Sequence, residues 1–133
     1  MTMELPLSSP KIMVIDDNPT NLKLATDVLE AAGYNVIRAE DAERADAMLE
    51  RALPDLILMD IGLPGMDGLT FTRKLRTDQR TQGIVIVALT AAAMIGDDVK
   101  ALEAGCDGYL AKPIDTRRLP DQVARHLAAG RIL

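Results

Sequence analysis

The 133-residue chain contains no tryptophan, one cysteine and one histidine, and only 2% of it is aromatic. With so few rings it has little on which to stack nucleic-acid bases. The lone Cys106 has no partner for an internal disulfide, and its place between Gly105 and Asp107 reads as a small half-buried residue near a turn. The lone His126 excludes multi-histidine metal sites, so any metal held here would be a hard one bound through oxygen. An excess of basic residues is missing as well. Fifteen Lys and Arg face twenty Asp and Glu, and the net charge of −5 argues against a binder of phosphate backbones. The apolar runs Ile12 to Ile15, Leu56 to Met59 and Ile84 to Leu89 fall far short of the roughly 20 residues a membrane span needs. Residues 1–10 have neither a basic n-region nor a long apolar h-region and read as a flexible lead-in, not a secretion signal. These absences place the chain in the cytoplasm, with neither nucleic acid nor membrane as a partner.

What is present fits one folded domain, expected over residues 11–130, because 48% apolar and 26% charged residues match an ordinary globular chain of this size. Short apolar runs alternate with amphipathic stretches, the pattern of an α/β fold with a parallel sheet covered on both faces. Lys11 to Ile15 reads as the first strand, and Asn18 and Pro19 as the cap and first position of a helix with Leu22, Ala25, Val28, Leu29 and Ala32 inward. Gly33 suits a left-handed helix end, Asn35 to Ala39 a second strand, and Asp41 the cap of a helix carrying Ala45, Met48, Leu49 and Ala52 inward. Leu56 to Met59 is the third strand, followed by a turn-rich stretch and a helix from Asp67 to Arg76 with Leu69, Thr72 and Leu75 facing in. Ile84 to Leu89 is the fourth strand. A helix is expected over Ala93 to Ala104, with Ile95, Val99 and Leu102 on one side and Gly96 in its interior at a cost of about 1 kcal/mol. Gly108 to Ala111 forms a fifth strand, and Asp115 would cap a last helix bearing Leu119, Val123 and Leu127, whose start Pro120 should bend or delay.

Chemically capable side chains stand where the apolar runs stop: Asp16 and Asp17 after Ile15, Asp60 after Met59, Thr90 after Leu89, and Lys112 after Ala111. In an open parallel sheet with right-handed crossovers those carboxyl ends share one edge, where ligands bind. Three carboxylates within about 4 Å of one another would repel by several kcal/mol per pair at an effective dielectric near 20. Lys112 supplies one compensating charge, and Mg²⁺, which takes carboxylates while keeping several waters, can supply the rest. A carboxylate beside a metal and an ammonium can act as nucleophile on phosphorus, giving an aspartyl phosphate. Asp60 is the best placed for this, at the end of the most apolar strand and the start of a Gly- and Pro-rich loop. Asp16 and Asp17 read as metal holders, with the Gly62 carbonyl a further ligand. Singly, each residue has a plain alternative as a turn, a cap or a solvated charge; jointly those alternatives need four coincidences at one sheet edge.

The segments Ile15-Asp16-Asp17-Asn18, Pro54 through Asp60, Leu63-Pro64-Gly65-Met66-Asp67-Gly68, Leu89-Thr90-Ala91 and Gly108 through Pro113 together resemble the receiver domain of two-component response regulators. The resemblance covers about Lys11 to Leu127. It implies a flavodoxin-like doubly wound sheet in strand order 2-1-3-4-5 with five helices. It further implies Asp60 as phosphoacceptor, Asp17 as a direct Mg²⁺ ligand, Asp16 as holder of a metal-bound water and the Gly62 carbonyl as the remaining protein ligand. Lys112 would pair with the phosphoryl oxygens. Thr90 would turn its hydroxyl onto the phosphoryl group, with small Ala91 leaving space for Tyr109 to swing from an outward to an inward rotamer, and the Lys112–Pro113 bond would be cis. Phosphorylation would then bias the surface around the fourth helix, fifth strand and fifth helix.

By this resemblance the phosphoryl donor is a phosphohistidine of a sensor kinase or phosphotransfer protein, and the output is binding of an effector protein. The chain would be a regulator and not an enzyme in its own right, and a monomer or weak dimer. Ile95, Val99, Tyr109 and Leu119 would meet the effector or a second copy. The wording of the motifs fits a free-standing regulator and a hybrid-kinase receiver equally. Gly62 and Ala92 are nearly bare where the family commonly carries larger side chains that influence access of the hydrolytic water. The lifetime of the aspartyl phosphate is therefore open, and Gly62→Asn or Ala92→Glu is expected to change it. The alternative from another class is a Mg²⁺-dependent phosphohydrolase of the haloacid-dehalogenase kind with Asp16 as nucleophile. That chemistry needs an acid/base Asp two residues later, where this sequence has Asn18.

Overall fold

The apolar runs pair into one five-stranded parallel sheet of order β2-β1-β3-β4-β5, in a computed structural model that describes residues 9–91 and 96–131. The elements are β1 (Lys11–Ile15), α1 (Pro19–Ala31), β2 (Asn35–Ala39), α2 (Ala42–Leu49), β3 (Leu56–Asp60), α3 (Gly68–Thr77), β4 (Val85–Ala91), α4 (Asp97–Ala104), β5 (Gly108–Lys112) and α5 (Leu119–Ala129). This is the α/β architecture and strand order expected from the sequence. The central strand β3 is buried along its whole length, which is why it reads as an unbroken apolar run instead of an alternating one.

Alternate residues of the inner strands feed two separate cores. Met13, Ile15, Ile57, Met59, Ile86 and Ala88 pack on one face with Phe71 and Leu75 of α3 and Ala42, Ala45 and Leu49 of α2. Ile12, Val14, Leu56, Leu58, Val87 and Leu89 pack on the other with Leu22, Ala25 and Leu29 of α1 and Leu119 and Val123 of α5. The register carries the strand ends to one edge. Ile15 is level with Met59, so Asp16 stands level with Asp60, and Asp60 with Leu89. Lys112 pairs with Ala91, two positions further out along the sheet, and its long side chain reaches back over the carboxylates.

Helix starts follow the expected chemistry at three places. Asn18 caps α1 by accepting from the N–H groups of Thr20 and Asn21, Asp41 caps α2 through Arg44 and Asp67 caps α3 through Thr70. Gly33 takes φ +100° after α1. Several expectations are corrected. Helix α4 begins at Asp97, with Gly96 not in its interior but at its N-cap at φ +92°; residues 92–95, including Ile95, lie outside the described residues. Val99 and Leu102 point to solvent, 53% and 46% exposed, while Ala101 and Ala104 face the core, because only small side chains fit this close to the sheet. Asp115 does not cap the last helix. Its carboxylate accepts from Arg117 N–H within a preceding turn, and Pro120 holds off α5 until Leu119. Leu119 is fully buried and so is no part of an outer surface. Ala32, the C-cap residue that ends α1, and Met48 on α2 are exposed, Ala52 lies beyond the end of α2 and is only half-buried, and Cys106 is buried, not half-buried. Phe71, the only phenylalanine, is the largest side chain of the α3 face and was not among the inward positions expected there.

Candidate functional site

At the carboxyl edge of the sheet, Asp16, Asp17 and Asp60 each present an oxygen within 4.8 Å of the others. Two local turns aim them. Asn18 N–H donates to Asp16 Oδ1 at 2.9 Å, and Gly62 N–H donates to Asp60 Oδ1 at 2.9 Å. The turn readings that each aspartate permits are therefore realised, but on one oxygen only. Each turn fixes its carboxylate so that Oδ2 is left for other work.

Lys112 Nζ lies 3.1 Å from Asp60 Oδ2 and 3.5 Å from Asp16 Oδ2, so a single ammonium serves both. The second distance is at the limit of hydrogen bonding, and Asp16 Oδ2 is buried without a hydrogen bond. Burial raises the Asp16 carboxyl above its usual range, assisted by the Asp60 charge and opposed by Asn18 N–H and Lys112. Burial alone would lower Lys112, but the hydrogen bond to Asp60 and the charges of Asp60 and Asp16 outweigh it and raise the ammonium. Asp17 is exposed, and its carboxylate opens to the mouth of the site.

These groups line a cleft of about 560 Å³ together with Asn18, Asn21, Ile61, Gly62, Leu89 and Lys112. Gly62 adds backbone but no side chain to the wall, and a Cβ there would meet only Asp60 Oδ1, at 3.6 Å. Gly68 is required for a different reason. A Cβ on it would run into the Asp60 carbonyl and stand 2.7 Å from Ile61 Cα, so the start of α3 lies against the backbone that carries Asp60. Thr90 is buried one residue beyond Leu89 at the end of β4, next to Ala91. Tyr109 sits on β5 opposite Ala88, 44% exposed, in an outward position. The Lys112–Pro113 bond is cis, as the resemblance implies. Asn21 is the cleft residue that the strand-end reasoning passed over, since it belongs to the first turn of α1 and not to a strand end. The signal available for it was its place three residues after the cap.

The donor set is oxygen throughout, with three carboxylates facing one ammonium and a buried oxygen left without a hydrogen bond. Such a set fits a hard divalent cation. The family profile described as the response regulator receiver domain matches residues 12–124. The chain belongs to this family. Its relatives include the polar-differentiation response regulator DivK of Brucella ovis, 39% identical over 116 residues that cover 87% of this chain and 94% of that protein. A putative response regulator from Chloroflexus aurantiacus superposes with a TM-score of 0.87 at 35% identity, covering 91% of this chain and 99% of that one. The receiver domain of a sensor histidine kinase from Pseudomonas aeruginosa, with a magnesium ion coordinated in its active-site cleft, superposes with a TM-score of 0.82 at 36% identity, covering 91% and 99%.

The receiver family comprises signalling regulators of two-component systems, and the acidic cluster of Asp16, Asp17 and Asp60 is consistent with a phosphoacceptor site. The phosphohydrolase alternative is not favoured. The position that would hold its acid/base is Asn18, whose side chain is committed to capping α1. Among the described residues no helix is long and apolar enough to cross a membrane.

Proposed function

We propose that Asp60 is the phosphoacceptor of this receiver, taking a phosphoryl group from a phosphohistidine of a sensor kinase or phosphotransfer protein. The observation that carries the reading is the uncompensated charge of the cleft: three carboxylates, one ammonium, and Asp16 Oδ2 buried with no hydrogen bond. Exposed Asp17 would hold Mg²⁺ directly, Asp16 through a water, and the Gly62 carbonyl would complete the protein ligands, in a domain spanning residues 11–130. When bound, the ion supplies the positive charge that lets an anionic nucleophile meet an anionic phosphoryl group. The chain's own residues do the remainder. The Gly62 N–H holds the Asp60 carboxylate in one orientation through Oδ1, so that Oδ2, which faces Lys112, is the oxygen that would attack. Lys112, already 3.1 Å from Asp60, is placed to follow the new charge onto the phosphoryl oxygens.

Thr90 would then bond the phosphoryl group, the small residue at Ala91 would let Tyr109 leave its exposed position, and the face of α4, β5 and α5 would change for an effector protein. The setting is the cytoplasm, where the kinases of such systems present their phosphohistidines. Incubation with phosphoramidate tests this by intact mass. One phosphoryl group per chain is expected with Mg²⁺ and none with a chelator. Equal labelling of Asp60→Asn and wild type would overturn it. Turnover of a phosphomonoester, lost in Asp16→Asn but kept in Asp60→Asn, would instead restore the hydrolase reading.

A further inference from the structure

The cleft contains a neutral polar side chain with nothing to do in the resting protein. Asn21 is half-buried on the first turn of α1 and lines the same cleft as Asp60 and Gly62. Its backbone N–H is occupied by Asn18, but its carboxamide makes no hydrogen bond among the described residues. The other cleft amide, Asn18, has its Oδ1 spent on two backbone N–H groups, and its loss would uncap the helix. Gly62 presents no side chain at all. Among the described residues that line the cleft, Asn21 is thus the neutral group whose donor and acceptor are both free.

Resting on the assignment of Asp60 as phosphoacceptor, we infer that Asn21 is a positioning residue for hydrolysis of the aspartyl phosphate, orienting the attacking water through its carboxamide. In that step the water oxygen bonds to phosphorus while the bond from phosphorus to the Asp60 carboxylate oxygen breaks. The electron pair stays on the carboxylate, and the water proton leaves with inorganic phosphate. A carboxamide is no base at neutral pH. Its Oδ1 accepts a hydrogen bond from the water and turns the water's lone pair toward phosphorus, which is why the effect is one of orientation. The charged groups of the cleft suit this role less well. Asp60 carries the phosphoryl group, Lys112 pairs with acidic oxygens, and a carboxylate beside an anionic phosphoryl group is repelled.

The test loads the full chain with acetyl phosphate and Mg²⁺, removes the donor by rapid desalting, and follows decay of the phosphorylated mass. Asn21→Ala and the near-isosteric Asn21→Leu should decay more slowly by about two- to tenfold, the scale of one neutral hydrogen bond, and Asn21→Gln should recover part of the rate. Thermal midpoints and Mg²⁺ affinity should stay with wild type. Decay of both the Ala and Leu variants at the wild-type rate or faster overturns the inference. So does a slowed decay that tracks lost stability or Mg²⁺ affinity and is not relieved by Gln. Failure of wild type itself to load overturns the phosphoacceptor assignment, and with it this inference, so the two failures are distinct.

Discussion

Two acid–base clusters sit at opposite edges of the same sheet. At the carboxyl edge Asp16 and Asp60 share Lys112, with Asp17 beside them. At the amino edge a single carboxylate, Asp107, is held by two guanidiniums. Its Oδ2 accepts from Arg76 and from Ile86 N–H, both at 2.9 Å, and its Oδ1 accepts from Arg131 at 2.7 Å. Arg76 also donates to the carbonyls of Gly105, Gln82 and Ile84, so this cluster ties α3, the end of α4 and the start of β4 together. Both are ionic and built on buried carboxylates, yet only one closes on itself. Bonding capacity satisfied within the chain marks a brace; unspent charge marks a place for a ligand.

The sharpest way to break this comparison is to remove one acid from each edge. Asp107→Ala leaves two half-buried guanidiniums and the Ile86 N–H without their buried carboxylate and should lower unfolding free energy by about 3–5 kcal/mol in a urea titration. Gly68→Ala should cost less, about 1–3 kcal/mol, but it also pushes on the backbone of Asp60, so labelling by phosphoramidate should fall with it. Asp16→Asn should act in the opposite direction. It keeps the acceptor for Asn18 N–H, removes a buried charge, and should stabilise the Mg²⁺-free protein by about 1 kcal/mol while weakening Mg²⁺ binding. A destabilised Asp16→Asn would erase the distinction between the edges.

The smallest effect is one of pH. Burial holds the His126 imidazole below its usual range, against the raising influence of Asp107, and the ring lies directly over Gly108. The unfolded chain therefore takes up a proton that the folded one refuses. Stability is lost as pH falls from the ordinary histidine value of 6.5 toward the lowered folded one, with no further loss from this group below it. Urea midpoints at about pH 7.5 and pH 5.5 should differ accordingly, and His126→Gln should reduce the difference.

The same contrast explains how much could be read without coordinates. The strands and the converging acids were legible because β1, β3 and β4 carry apolar runs with a polar residue directly after each, while the strand order was implied by the family resemblance. The caps at Asn18 and Asp41 were legible because capping is local, whereas Asp67, expected as the first residue of its helix, is the cap of α3. The inward face of α4 was not: periodicity marks Val99 and Leu102, but the close approach of the helix admits only Ala101 and Ala104. Nor was Asp107, whose partners lie 31 and 24 residues away and follow no spacing rule. Asn21 was hidden for the same reason, since only the fold brings the first turn of α1 beside the end of β3.

The measurement that bears most directly on the account is reductive trapping of the acyl phosphate after loading with phosphoramidate and Mg²⁺, followed by peptide mapping. The trapped carbon is expected at Asp60, with Asp16, Asp17 and Asp107 unmodified. A trapped group at Asp16 or Asp17, with Asp60 untouched, would contradict it.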